Sequence, residues 1–263
     1  MTVNPFALLS VSISPLAMQI YVLLMILMVI SGTLFDIIHK KNVKYFFQNA
    51  RKAKAQATRK LGNGEKTSII IKTVGSEILT TSELGAGKRR IAHLLGMYGT
   101  ILFWVTSVIM IFCYPLLEYN TPIIYPLLWH IGAIMTCLGG FWFWFFLRVD
   151  VAAEANHWYR IVQADLFVLS LVFSSTFGLI WSFFQSANFM VWSSFFLFLF
   201  AISNIFLFGG VYWSKFAHMF YKPGAAIQRN LAEADGSRDN LPPEANAPKK
   251  FGLGIKREAP KHY

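Results

Sequence analysis

The sequence predicts an all-α fold: a polytopic membrane protein, a bundle of five transmembrane helices with its N-terminus outside and its C-terminus cytoplasmic. Three observations predict it. Hydrophobic residues make up 55% of the 263-residue chain and charged residues only 14%, against about 25% charged in an ordinary soluble domain. Those charges are gathered in blocks between long apolar runs. Every Lys and Arg also falls on one side of the topology that the runs imply.

Five runs are long enough to cross a hydrocarbon core about 30 Å thick: Leu16–Phe35, Ile91–Leu116, Ile123–Leu147, Leu166–Phe184 and Phe189–Tyr212. The first has no basic segment before it and exceeds the about 7–15 residues of a signal-peptide core, so it reads as a retained helix. A barrel would show alternating segments of about ten residues instead of continuous apolar runs.

Net charge is +11, and its distribution decides what that charge is for. Of the 24 Lys and Arg, 13 lie in 40–90, 2 in the Arg148–Arg160 connection and 9 in the tail from Lys215. The N-terminal segment and the turns at Glu118–Pro122 and Gln185–Asn188 hold none. This is the positive-inside pattern of an odd number of crossings. It predicts attraction to anionic lipid and no nucleic acid.

The chain divides into the first crossing (1–38), a basic cytoplasmic loop (39–90), a four-helix membrane core (91–220) and a largely flexible cytoplasmic tail (221–263). In the loop, Lys40–Lys60 reads as a basic helix continuing from the first crossing, and Leu61-Gly-Asn-Gly64 breaks it. The β-branched stretch Thr67–Val74 predicts a short strand or an extended path. Pro223-Gly224 is expected to stop the last helix, with a short helix over Ala225–Ala232. The Gly-, Pro- and Asn-rich stretch Asp235–Lys250 cannot bury enough apolar surface to fold alone. Cys113 lies near the outer end of the second crossing and Cys137 about 21 Å deeper in the third, too far apart for a disulfide.

Six histidines could carry chemistry. His39, His93, His157 and His218 fall at the inner side, His130 in the outer half of the third crossing, and His262 in the tail. A b-type haem between helices needs two imidazoles at similar depth, with small residues where the ring lies flat. His93 and His218 meet the depth condition if the fifth helix continues through Ser214–Phe220. Gly96 and Thr100 share the face of His93, and Gly210 and Ser214 share that of His218. Two interfacial histidines fit the same placement. An ionisable residue inside the membrane is a functional candidate, so His130 is open to a quinone or second site, a hydrogen bond to helix backbone or a simple interfacial role. His157, next to Arg160 and Glu154, fits a solvated ion-paired loop or such a site. Asp165 could pair with Lys215, Arg160 or Lys88, complement a helix N-terminus, or belong to the same quinone or second site. The aromatic block Phe141–Phe146 reads as an interfacial belt. No phosphate loop, nucleophile elbow or zinc spacing is present, which points to a non-catalytic subunit.

The segment Lys88-Arg-Arg-Ile-Ala-His93-Leu-Leu-Gly-Met-Tyr-Gly99 resembles the start of helix 2 in nitrate-reductase gamma-like membrane cytochromes. Trp213-Ser-Lys-Phe-Ala-His218-Met-Phe-Tyr-Lys-Pro223 resembles the end of their last helix. Between them, Phe143–Ala153 and Arg160–Phe167 resemble the membrane anchor of dissimilatory adenylylsulfate reductase. The resemblance covers roughly 88–226. It implies a membrane subunit in the bacterial inner membrane that exchanges electrons with a cytoplasmic flavin and iron–sulfur adenylylsulfate reductase and connects it to the quinone pool. It implies one haem b with His93 and His218 as axial ligands of the haem iron, and an acidic partner docked on the basic inner surface. The gamma-type cytochromes carry a second histidine pair for an outer haem. This chain has Phe103 and Phe200 at that depth, so one inner haem is the most it supports. A haem-free tether for the reductase is the alternative. A small transporter is a third, disfavoured by the scarcity of intramembrane charge and the absence of repeats.

Overall fold

The computed structural model describes residues 3–40, 42–84, 87–149, 157–213 and 218–237. Among these it is all-helical, 81% helix with no strand. The elements are α1 (Pro5–Leu9), α2 (Pro15–Lys40), α3 (Asn42–Ala55), α4 (Asn63–Thr73), α5 (Lys88–Cys113), α6 (Ile124–Trp142), α7 (Leu166–Ser186), α8 (Met190–Gly209) and α9 (His218–Asp235). A π-helical stretch, Val74–Leu79, follows α4, and another, Phe143–Leu147, follows α6. Five helices are long and apolar enough to cross a membrane, over Pro15–His39, Lys88–Cys113, Ile124–Leu147, Leu166–Ser186 and Met190–Tyr212. These are the five runs read from the sequence, with the first one longer at its C-terminal end. The chain forms two compact units, one of 1–35 with 91–217 and one of 36–90 with 218–263.

In the first unit the helices meet through small residues, because apolar side chains gain nothing by leaving lipid and close backbone approach must supply the packing. A Cβ on Gly99 of α5 would stand 2.6 Å from the backbone nitrogen of Thr136 on α6 and 2.7 Å from the carbonyl of Gly132. One on Gly139 would meet the carbonyl of Ala92 at 2.5 Å. Thr100 and Thr136 hydroxyls face each other at 3.4 Å across this seam. Between α7 and α8, the buried Ser174 hydroxyl donates to Asn204 Oδ1 at 2.8 Å. The helix α2 joins this unit along α8, where Tyr21 donates to the Ala201 carbonyl at 2.8 Å and Gly32 faces Val211.

At one end of the unit an element not foreseen from the sequence, α1, seats itself in the core. Asn4 caps it, accepting from the Phe6 and Ala7 amides at 3.0 and 3.2 Å, and Pro5 occupies the first turn, where no amide is needed. The Asn4 amide donates in turn to the Tyr114 carbonyl and Thr121 hydroxyl. Phe6 then packs on Trp129 and Trp181, with ring centroids 5.9 and 5.5 Å away.

The second unit is built on α9, which packs against α3, α4 and the π-stretch. Asn230 donates to the Thr73 hydroxyl at 2.8 Å and to Glu77 at 2.7 Å, and Arg229 pairs with Glu77 at 2.6 Å. The stretch Thr67–Val74 is helical here, correcting the extended path expected from its β-branched residues. Thr67 and Thr73 bond back to the carbonyls of Asn63 and Ile69, and the helix docks on α9. Pro223-Gly224 does not stop a helix either, since α9 begins at His218 and runs through Pro223 to Asp235. A Pro in the second turn forfeits one amide and clashes with the preceding turn, a cost that tertiary packing along the rest of α9 offsets. The basic helix after the first crossing is α3, ending at Ala55 and not at Lys60. Of the Asp235–Lys250 stretch, residues beyond 237 lie outside the described residues.

Candidate functional site

His93 stands in the second turn of α5 with its side chain exposed. Three residues on, Gly96 has open space on the side where a Cβ would stand, with nothing within 4 Å, while its backbone nitrogen lies close against Gly139 of α6. This is a different environment from Gly99 one turn further, which α6 covers at contact distance. Thr100, expected on the same face, is buried and turned to Thr136.

His218 is the first residue of α9 and belongs to the second unit, whereas His93 belongs to the first. Its side chain lies outside the described residues. The expectation that one unbroken helix would carry Gly210, Ser214 and His218 on a common face is corrected upstream of that point. The α-helix ends at Gly209, and Gly210–Tyr212 tightens into a 3-10 turn. Gly210 therefore caps α8 and is buried, and residues 214–217, which join this turn to His218, lie outside the described residues. Ser214 lies outside the described residues. Among the described residues no group of three or more His, Cys, Asp or Glu could hold a metal ion, a criterion that a two-histidine haem site does not need to meet. Cys113 and Cys137 are free thiols.

Further along α5, Phe103 is almost fully buried and meets Phe200 of α8 at 6.0 Å between centroids, edge to face. Trp129 lies 5.0 Å from Phe103, and Trp181 stacks on Phe200 at 5.8 Å. The two phenylalanines at matching depth thus belong to one packed aromatic layer.

His130 is buried beside Trp129 with both ring nitrogens engaged. Nδ1 lies 2.7 Å from the Pro126 carbonyl, the preceding turn of its own helix, and Nε2 lies 2.9 Å from Ser182 Oγ of α7. With Nδ1–H donated to the carbonyl, Nε2 accepts from the serine hydroxyl. This is the backbone hydrogen bond among the options open for it, joined by an interhelical one.

Asp165 does not pair with Lys88 or Arg160, and Lys215 lies outside the described residues. Its partner is Arg148, whose guanidinium is completely buried. Nε and Nη2 of Arg148 donate to the two carboxylate oxygens at 3.3 and 2.5 Å, and the carboxylate also accepts the Val162 amide at 2.9 Å. Nη1 donates to the carbonyl of His157 and Nη2 also to that of Arg160. The guanidinium lies 4.4 Å over the Trp144 ring. The π-stretch sets this up, with the Arg148 amide bonding five residues back to Phe143, so that Trp144, Leu147 and Arg148 are buried while Phe145 and Phe146 stay exposed. His157 contributes only its backbone to the cluster. Its ring is exposed and stacks on Tyr159 at 5.1 Å. The aromatic block is thus part exposed and part core.

No family model, no curated protein and no solved structure matches this chain.

Two functional candidates were not visible in the sequence reading. Arg148, placed directly after an apolar run, passed as a topology-setting charge and is a buried hydrogen-bond centre. Asp36, near the C-terminal end of α2, is buried and accepts from Tyr221 Oη at 3.0 Å within the second unit. The signal was a carboxylate inside a membrane-length apolar helix. Burial, the hydrogen bond to Asp36 and its charge push the Tyr221 phenol up to about 12.

Proposed function

We propose that this protein is the membrane electron-transfer subunit of an oxidoreductase complex in the bacterial inner membrane. It would link a cytoplasmic flavin and iron–sulfur reductase of the adenylylsulfate type to the quinone pool through one b-type haem near the inner face. The observation that carries the reading is the exposed His93 imidazole early in a membrane-length helix, with open space beside Gly96. That half of the site fits a haem edge. His218 is the second ligand in this reading, at the start of α9. A haem bound there supplies a one-electron relay between iron–sulfur clusters and a quinone. On the α6 side the two helices meet at backbone distance, since a Cβ on Gly139 would stand 2.6 Å from the Gly96 nitrogen. The aromatic layer around Phe103 and Phe200 supports a single haem and no relay across the whole membrane. The basic segments, 13 Lys and Arg between 40 and 90, would steer an acidic partner to this end.

The deciding measurement is the reduced-minus-oxidised visible spectrum of the purified protein expressed with haem supplied. A sharp α-band lost in both His93→Ala and His218→Ala is the expected result. A colourless, correctly folded preparation that still retains the reductase on co-purification would replace this reading with the haem-free tether.

A further inference from the structure

The α2 span from Pro15 to His39 has 25 residues, which at about 1.5 Å each exceeds the ~30 Å core and brings its end to the headgroup layer. Only Lys41 separates the end of α2 from α3. The first turns of α3 therefore start at that layer. The 14 residues of α3 include Lys44, Arg51, Lys52 and Lys54 and no acid. One face is occupied within its own unit: Ala53 is buried, Val43, Phe46 and Ala50 are half-buried, and the Phe46 ring approaches Gly224 of α9.

The adjoining face has the composition of an interfacial helix. Phe47 is 58% exposed, an unusual position for a phenylalanine on a helix with a packed face. Lys44, Arg51 and Lys54, at three residues before, four after and seven after Phe47, lie on the same side and are all exposed. An aromatic ring flanked by long cationic side chains suits the boundary where the ring enters the acyl region and the charges reach back to phosphates. An acidic protein would satisfy the cations but leave the ring without a stated reason to be bare.

We propose that this face of α3 lies on the bilayer and binds anionic phospholipid headgroups, with Phe47 inserted and Lys44, Arg51 and Lys54 on phosphates. The assignment is independent of the haem reading. It also divides the basic surface, reserving α3 for lipid and leaving the other cations to a soluble partner.

The test uses the full chain with Cys113→Ser and Cys137→Ser, carrying a nitroxide label on Phe47→Cys, or on Asn49→Cys, which is exposed on the side of α3 turned away from Phe47. Each is placed in nanodiscs of phosphatidylcholine alone or mixed with phosphatidylglycerol. Collision rates with oxygen and with a water-soluble nickel complex report depth. In the anionic discs the label at 47 should favour oxygen several-fold over the label at 49. That preference should shrink in neutral discs and in the Lys44→Glu/Arg51→Glu/Lys54→Glu variant. Equal nickel access at 47 and 49 in both discs would overturn the proposal. So would burial at 47 that is the same in neutral and anionic discs, or that arises only when cytoplasmic protein is added. Circular dichroism of each labelled protein serves as the folding control, since equal access counts against the proposal only where helix content matches the parent.

Discussion

Arg148 and Asp165, 17 residues apart, close the connection between α6 and α7 from the inside, the guanidinium taking both carboxylate oxygens and two loop carbonyls. Neither group has bulk water to fall back on. Asp165→Asn or Arg148→Met leaves one charge buried without its counterpart and should cost about 3–5 kcal/mol. The double variant Arg148→Met/Asp165→Leu should recover part of that loss. Thermal unfolding in detergent of the two single variants and the double variant measures the coupling. Additive losses would mean the pair is not a unit.

The glycines of α5 separate into two kinds. Gly99→Ala places a methyl group within 2.6–2.8 Å of α6 backbone and side-chain atoms, and should destabilise by about 1–3 kcal/mol through forced separation of the helices. Gly96→Ala meets nothing within 4 Å and should leave melting unchanged, while Gly96→Phe should lower haem content if the ring lies there. Melting curves and pigment content, read on the same preparations, separate the two effects.

The interhelical bond between Ser182 and His130 is expected to be structural. Ser182→Ala orphans Nε2 in a dry site and should cost about 1–3 kcal/mol, and Ser182→Thr should restore most of it. Under the proposed electron-transfer function, quinone reduction by the complex should be unchanged in Ser182→Ala at a temperature where the variant is folded. A selective loss of quinone activity without a stability change would move His130 back among the quinone-site candidates.

The phenol of Tyr221 titrates at about 12 in the folded chain, against about 10 when unfolded. Between those values the folded chain keeps a proton that the unfolded chain has lost. Its stabilising contribution is complete below pH 10 and disappears as pH rises towards 12. The absorbance difference at the phenolate band between the parent protein and Tyr221→Phe should show that late ionisation. Asp36→Asn should bring the midpoint down. A midpoint near 10 in the parent protein would mean that the contact with Asp36 is not made.

What the sequence revealed follows from how much signal each element carries. The five spanning helices are legible because about twenty apolar residues in a row have few other uses. The helix α4 was misread because single-residue propensity counts Thr, Ile and Val as strand formers. It could not count the hydroxyls of Thr67 and Thr73 bonding to their own preceding turns, or α9 waiting alongside. The five-residue α1 is too short for periodicity, and only the Asn4-Pro5 pair marks it. At the candidate site, His93 and Gly96 could be paired by counting along one helix. The tightening of the chain at Gly210–Tyr212 could not be foreseen that way, because counting along a helix assumes regular geometry. The partner of Asp165 was missed for the same reason, since it depends on a π-turn that reorients Arg148.

The seating of α1 also orders the birth of the protein. Residues Pro5–Leu9 leave the ribosome before any of the five spans, yet Asn4 bonds to Tyr114 and Thr121, residues 110 and 117 positions later, and Phe6 needs Trp129 and Trp181. A segment made early is among the last to find its place. Until α7 is inserted its receptor is incomplete, so a chain truncated before Trp181 should present a homeless α1 to quality-control proteases, and its docking marks the moment α5, α6 and α7 have come together.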